Sequence, residues 1–202
     1  MRTKTVSQAD KMLEAASHLF STQRFHEVRM EDIAAEAEVG KGTLYRYFND
    51  KEELYLALVA RASRQMVQRL TEAVAGVMGA RARLANFVSA VVEFFDEQPH
   101  LGDLIQRAEL LRTAGSEFPW QEARDESLRL LLEIFHSGKD QGEFVIREPE
   151  LAARLFQGAL RSVVIFGVHP RPADLAERIV DLFLNGADAG SKEKTVLPRG
   201  CN

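Results

Sequence analysis

Gly42, Thr43, Tyr45, Arg46 and Tyr47 crowd one side of a short helical stretch, and Leu44 and Phe48 hold the other side at i, i+4. Hydroxyl, phenol and guanidinium groups without an adjacent base do no bond-making chemistry. They donate and accept hydrogen bonds, and a helix this short exists to present them to something. Thr43 and Tyr45 suit base edges and the groove wall; Lys41, Tyr47 and Lys51 suit phosphate oxygens, which fix register without reading sequence. Arg46 could serve either role. Gly42 has no side chain, so backbone can approach a duplex closely, and the helix N-terminus adds partial positive charge.

The elements that position this set lie just upstream. Ile33, Ala34 and Ala37 form the inward stripe of a first short helix, Val39 occupies a turn, and Leu44 and Phe48 form the inward stripe of a second helix. Asn49-Asp50-Lys51-Glu52-Glu53-Leu54 then opens a much longer one. Residues 29–48 therefore predict a helix-turn-helix offering its second helix to a DNA major groove.

Phe25-x-x-Val28-x-Met30-x-x-Ile33-Ala34, followed by Gly42-Thr43-Leu44-Tyr45-x-Tyr47-Phe48-x-x-Lys51-Glu52-x-Leu54, resembles the DNA-binding module of the TetR family of bacterial regulators. The resemblance covers roughly the first third of the chain. It implies an all-α homodimer that binds double-stranded DNA at a palindromic operator, most often as a repressor released by a small-molecule effector. Two positions depart from the family pattern. Arg29 stands where a Ser or Thr N-cap is usual, and is expected to reach a phosphate instead. Glu38 stands at the turn position usually held by Gly, at a cost of about 1 kcal/mol for a left-handed backbone, and Gly40 is expected to restore freedom nearby.

The chain has 202 residues, 46% of them apolar, with a net charge of −4. That is ample for a packed core and argues against indiscriminate nucleic-acid binding, so DNA contact requires the charges to be segregated by face. Past Val39, Lys41, Arg46 and Lys51 meet only Asp50. A single cysteine, Cys201, gives no disulfide framework and fits a reducing cytoplasm. The most apolar run, 163–168, is far shorter than the ~20 residues that span a bilayer, so a cytoplasmic, non-membrane protein is expected.

Periodicity and breakers predict nine helices: 7–23, the two of the helix-turn-helix, 50–77, 82–97, 100–113, 119–140, 149–167 and 172–185. A DNA-binding domain at 6–66 shares the long fourth helix with a regulatory and dimerisation domain at 51–187, and a polar tail at 188–202 is expected to be disordered. The eighth helix carries apolar side chains around more than half its circumference. Leu155, Phe156, Ala159, Val163 and Phe166, with Ile179, Leu182 and Phe183 of the ninth, are the expected dimer face, a four-helix bundle across a two-fold axis. Phe87, Phe94, Phe118 and Trp120, with Arg107 and Arg161 as polar partners, are the expected lining of an effector pocket for an apolar or aromatic molecule.

Catalysis finds no support in the sequence. There is no Gly-rich phosphate loop and no nucleophile with a base nearby, and the five histidines lack ligand spacing, so neither an enzyme, a metal nor a cofactor is expected. Two other readings stay open at this stage: the same DNA-binding fold without a small-molecule effector, and a helical ligand-binding protein whose helix-turn-helix is vestigial.

Overall fold

The computed structural model describes residues 7–110, 120–167 and 170–186. Among them lie nine helices and no strand: α1 Gln8–Thr22, α2 Met30–Glu36, α3 Lys41–Tyr47, α4 Lys51–Val74, α5 Ala80–Glu97, α6 Leu101–Leu110, α7 Gln121–Asp140, α8 Pro149–Phe166 and α9 Leu175–Asn185. The expected tail, Phe118 and the start of α7 at Pro119 fall outside the described residues.

The caps explain where the helices begin. Ser7 accepts from the Asp10 backbone N–H at 3.0 Å to open α1, and the Asp50 carboxylate accepts from the Glu53 N–H at 2.8 Å to open α4. Glu53 completes the arrangement one residue early, taking the Asn49 N–H at 2.8 Å. Helix α5 borrows its cap from afar: the Glu143 carboxylate accepts from the Ala80 and Arg81 N–H groups, both at 3.0 Å. Those bonds hold the Glu143 carboxyl below its ordinary pKa. Helix α4 stops at Val74, short of the expected 77, because Gly76 takes a left-handed φ of 70°. Helix α9 begins at Leu175, with Pro172 in the preceding turn rather than in the helix.

Helices α1, α2 and α3 close over a small core of Met12, Ala16, Ile33, Ala34 and Leu44, and the N-terminal half of α4 seals it with Leu54, Tyr55 and Leu58. The remainder of α4 packs on α5 and α7, α5 packs on α9, and α7 packs on α8. Phe135, Phe156 and Phe183 form one aromatic cluster at the centre of this second body. Their ring centroids lie 5.9 Å (Phe135–Phe156), 4.6 Å (Phe156–Phe183) and 5.5 Å (Phe135–Phe183) apart. Two residues expected on the dimer face are therefore reassigned. Phe156, 1% exposed, is core, and Phe183 is half-buried against it. The outward face of α8 and α9 is carried instead by Leu151, Leu155, Phe166 and Leu182, the last three each more than 60% exposed. Ala159 lies on the same outer face, while Val163 and Ile179 are half-buried at its edge.

Candidate nucleic-acid interface and effector cavity

Helix α3 is held from below by Leu44, fully buried, and by Phe48 at its C-cap. This leaves Lys41, Gly42, Tyr45, Arg46 and Tyr47 exposed and Thr43 half-buried beside them. The turn before α3 carries the predicted strain at Glu38, whose φ is 55°. Gly40 does not supply the freedom expected of it: its φ of −67° is open to any residue, and it acts as the N-cap of α3. At Gly42 a Cβ would meet nothing within 4 Å. Among the described residues nothing requires a glycine there, and Gly42 is exposed.

The cations around α3 are arranged by local partners. Lys41 pairs with Glu31 of α2 at 2.5 Å and lies 5.8 Å from the Tyr45 ring centroid. The hydrogen bond between them holds the Glu31 carboxyl below its ordinary pKa and raises that of Lys41. Arg46 sits 5.7 Å from the Tyr47 ring centroid. Arg29 is exposed at the N-cap of α2, where its side chain makes no cap hydrogen bond, and Asp32 accepts the Arg29 N–H at 3.0 Å.

Lys51, expected at phosphate, is turned inward. Its ammonium donates to the Phe25 and Val28 carbonyl oxygens at 2.6 and 2.8 Å and lies 4.3 Å from the Phe25 ring centroid. Burial, and secondarily the charge of Arg107, lower its pKa. It ties the first residue of α4 to the connection between α1 and α2. Arg107, expected at the pocket rim, is likewise elsewhere. Its guanidinium lies 4.0 Å from the same Phe25 ring, which also stacks on Phe20 and meets Tyr55 edge-on. On α6, then, Arg107 reaches the DNA-binding module, and near the start of that helix His100 Nε2 lies 3.3 Å from Ser17 Oγ of α1.

The opposite face of α6 contributes Leu101 and Ile105 to a cavity of about 450 Å³ enclosed with α4, α5, α7 and α8. Phe87, Phe94, Trp120 and Arg161 line this cavity, joined by Met66 and Leu70 of α4. Sequence reasoning missed Arg124, Arg154 and Gln157, which stand at its edge. The i, i+3, i+7 spacing of Arg154, Gln157 and Arg161 was the available signal. Among the described residues no group of three His, Cys, Asp or Glu side chains could hold a metal ion, and no helix is long and apolar enough to cross a membrane.

Comparison with known proteins agrees with this geometry. A regulator from Mycobacterium tuberculosis H37Rv, the HTH-type transcriptional regulator Rv1255c, is 27% identical over 127 residues, 57% of this chain and 63% of that protein. The matched stretch thus spans less than two thirds of that relative. The HTH-type transcriptional regulator YdgC of Bacillus subtilis is 26% identical over 209 residues, covering 99% of this chain and 98% of its own. The crystal structure of the transcriptional regulator FadR from Bacillus subtilis in complex with stearoyl-CoA shares the fold, with a TM-score of 0.74 at 23% identity over 88% of this chain and 98% of that one. Residues 12–58, which hold the helix-turn-helix described above, match the profile of the bacterial regulatory proteins, tetR family.

Proposed function

We propose that the protein is a sequence-specific DNA-binding transcriptional regulator, a repressor that acts as a homodimer and is released from a palindromic operator when a small apolar ligand fills the cavity. The observation that carries this reading is α3 itself. Its polar side chains stand exposed over a buried Leu44 and Phe48, with open space at Gly42. Thr43 and Tyr45 read base edges; Tyr47, Arg29, Lys41 and Arg46 contact phosphates or guanine, Lys41 exchanging Glu31 for DNA. Lys51 acts indirectly, by fixing α4 against the module.

Two-fold association through Leu155, Phe166 and Leu182 covers apolar side chains that a lone protomer leaves in water. It also places two recognition helices on one face of the duplex, which requires a separation of about 34–36 Å or a close multiple. Coupling follows from two helices that serve both bodies. Helix α4 runs from Lys51 into the cavity wall, and α6 has Ile105 in the cavity and Arg107 on Phe25. A ligand that favours a different α6 position shifts the population away from the DNA-competent spacing; full switching requires roughly 5 kcal/mol of differential affinity. The likeness to FadR, whose complex holds stearoyl-CoA, supports an elongated apolar ligand.

The test is genome-fragment selection with purified protein at near-physiological salt, followed by sequencing of the retained DNA. One enriched palindrome supports the proposal. Retention no better than bulk DNA refutes specific binding and returns the helix-turn-helix to the vestigial reading.

A further inference from the structure

Glu31 is an acid on a surface that faces a polyanion. It is exposed in the first turn of α2, and its carboxylate reaches across to the ammonium of Lys41, the first residue of α3, at 2.5 Å. Lys41 lies in turn 5.8 Å from the Tyr45 ring centroid, so Glu31 belongs to the face that α3 presents. Neighbouring carboxylates are engaged within the module: Asp32 on the Arg29 N–H, Glu36 on His18, and Asp50 and Glu53 on the N–H groups of Glu53 and Asn49. Among the described residues the Glu31–Lys41 bridge is the one ion pair that ends on α3. With 50% of the Glu31 side chain and 61% of the Lys41 side chain in water, it contributes little to stability. The fold does not account for the acid.

Base recognition does account for it. An ionised carboxylate accepts hydrogen bonds and donates none. The major groove offers it two donors, the exocyclic amines of cytosine and adenine. Adenine sets its N7 acceptor beside the amine, an arrangement that suits an amide and repels a carboxylate; cytosine has no such acceptor there. In a C·G pair the cytosine amine also lies next to guanine O6 and N7, acceptors that suit an ammonium. Glu31 and Lys41 thus hold, one hydrogen-bond length apart, the two charges that the two halves of a C·G pair call for. We propose that Glu31 and Lys41 together read one C·G base pair in each half-site, Glu31 accepting from cytosine N4 and Lys41 donating to guanine O6 or N7. The inference rests on the reading of α3 as the recognition helix, and it adds a specificity-determining side chain from α2.

The test is selection from a random-sequence duplex library with the full chain, as wild type, Glu31→Gln and Glu31→Ala. Affinities are then measured for the selected site and for the same site with single base pairs exchanged. Glu31 is exposed, and circular dichroism checks that each variant is folded. The wild type is expected to select C·G at one position of each half-site and to bind roughly tenfold more weakly when T·A replaces it. Glu31→Gln should move that preference to A·T, because an amide matches adenine N6 and N7. Glu31→Ala should leave the position unselected while the rest of the motif stays. A Glu31→Ala protein that selects the wild-type motif unchanged overturns the proposal. So does one that binds all DNA more tightly, with a steeper salt dependence and the same motif; the acid then only tempers the charge of Lys41. No motif selected by the wild type overturns both this inference and the reading of α3.

Discussion

Replacing Lys51 separates two roles that the sequence alone could not tell apart. In Lys51→Met the hydrocarbon stem is kept and the ammonium is lost, and with it the hydrogen bonds to the Phe25 and Val28 carbonyls at 2.6 and 2.8 Å. A bond from a charged donor contributes about 1.5–3 kcal/mol. Lys51 is half-buried, so water takes over part of both, and each belongs near or below the lower end of that range. The contact with the Phe25 ring adds about 0.5–1 kcal/mol. The expected loss is about 2–3 kcal/mol, which for a chain of this size lowers Tm by roughly 5–10 °C. The assay pairs thermal melting by circular dichroism with DNA binding measured from low to high salt. If Lys51 positions α4, Tm falls and the slope of log K against log salt stays unchanged. If it holds a phosphate, Tm is unaltered and the slope falls by about one unit. That second pattern would refute the structural argument.

Other perturbations probe the remaining parts. Thr43→Ala should relax preference at one or two operator positions while leaving affinity for unrelated DNA unchanged, as read from sequencing of selected sites; a uniform loss across sequences would show that Thr43 contacts only backbone. Leu155→Asp combined with Leu182→Asp should give monomers in sedimentation with the helical content retained, since both positions are more than 60% exposed; an unchanged dimer places the interface elsewhere. Burial lowers the pKa of His100 from its ordinary 6.5, with Asp103 opposing. Below about pH 6.5 the unfolded chain therefore binds the proton more readily than the folded one, and stability falls as pH is lowered through that window. His100→Gln should flatten this dependence in denaturant titrations from pH 7.5 to 5, and an unchanged slope would remove His100 as its source.

The helices and their caps were legible because they depend on neighbours in sequence. Asp50 with Glu53, Pro149 at the start of α8 and the Leu44–Phe48 stripe needed no knowledge of the fold. Lys51 and Arg107 were not legible in the same way. Their destinations depend on Phe25, 26 and 82 residues distant, and a helical wheel does not say which body will cover a given face. Helix α8 shows the limit most clearly. Its apolar circumference announced two partners, but only packing against Phe135 and Phe183 decides that Phe156 faces inward while Leu155 faces out. The positive edge of the cavity was hidden for another reason: Arg124 joins Arg154 and Arg161 only when α7 and α8 are brought side by side.

Helix α4 has a mechanical consequence. It is 24 residues long, about 36 Å. Its far end is fastened to α5 by the paired contact of Arg69 with Glu97. Met66 on the cavity wall lies roughly 12 Å from the last residue, and Lys51 lies about 34 Å from it. If the helix turns about its last residue, it is a lever of nearly threefold gain. A sideways displacement of about 1 Å at Met66 carries Lys51 and the module tied to it by about 3 Å. In a two-fold pair both modules move, so the recognition helices part or approach by as much as ~6 Å, a sixth of the spacing between successive major grooves. Under the proposed function, a displacement of less than a bond length at the cavity wall is enough to take the pair out of register.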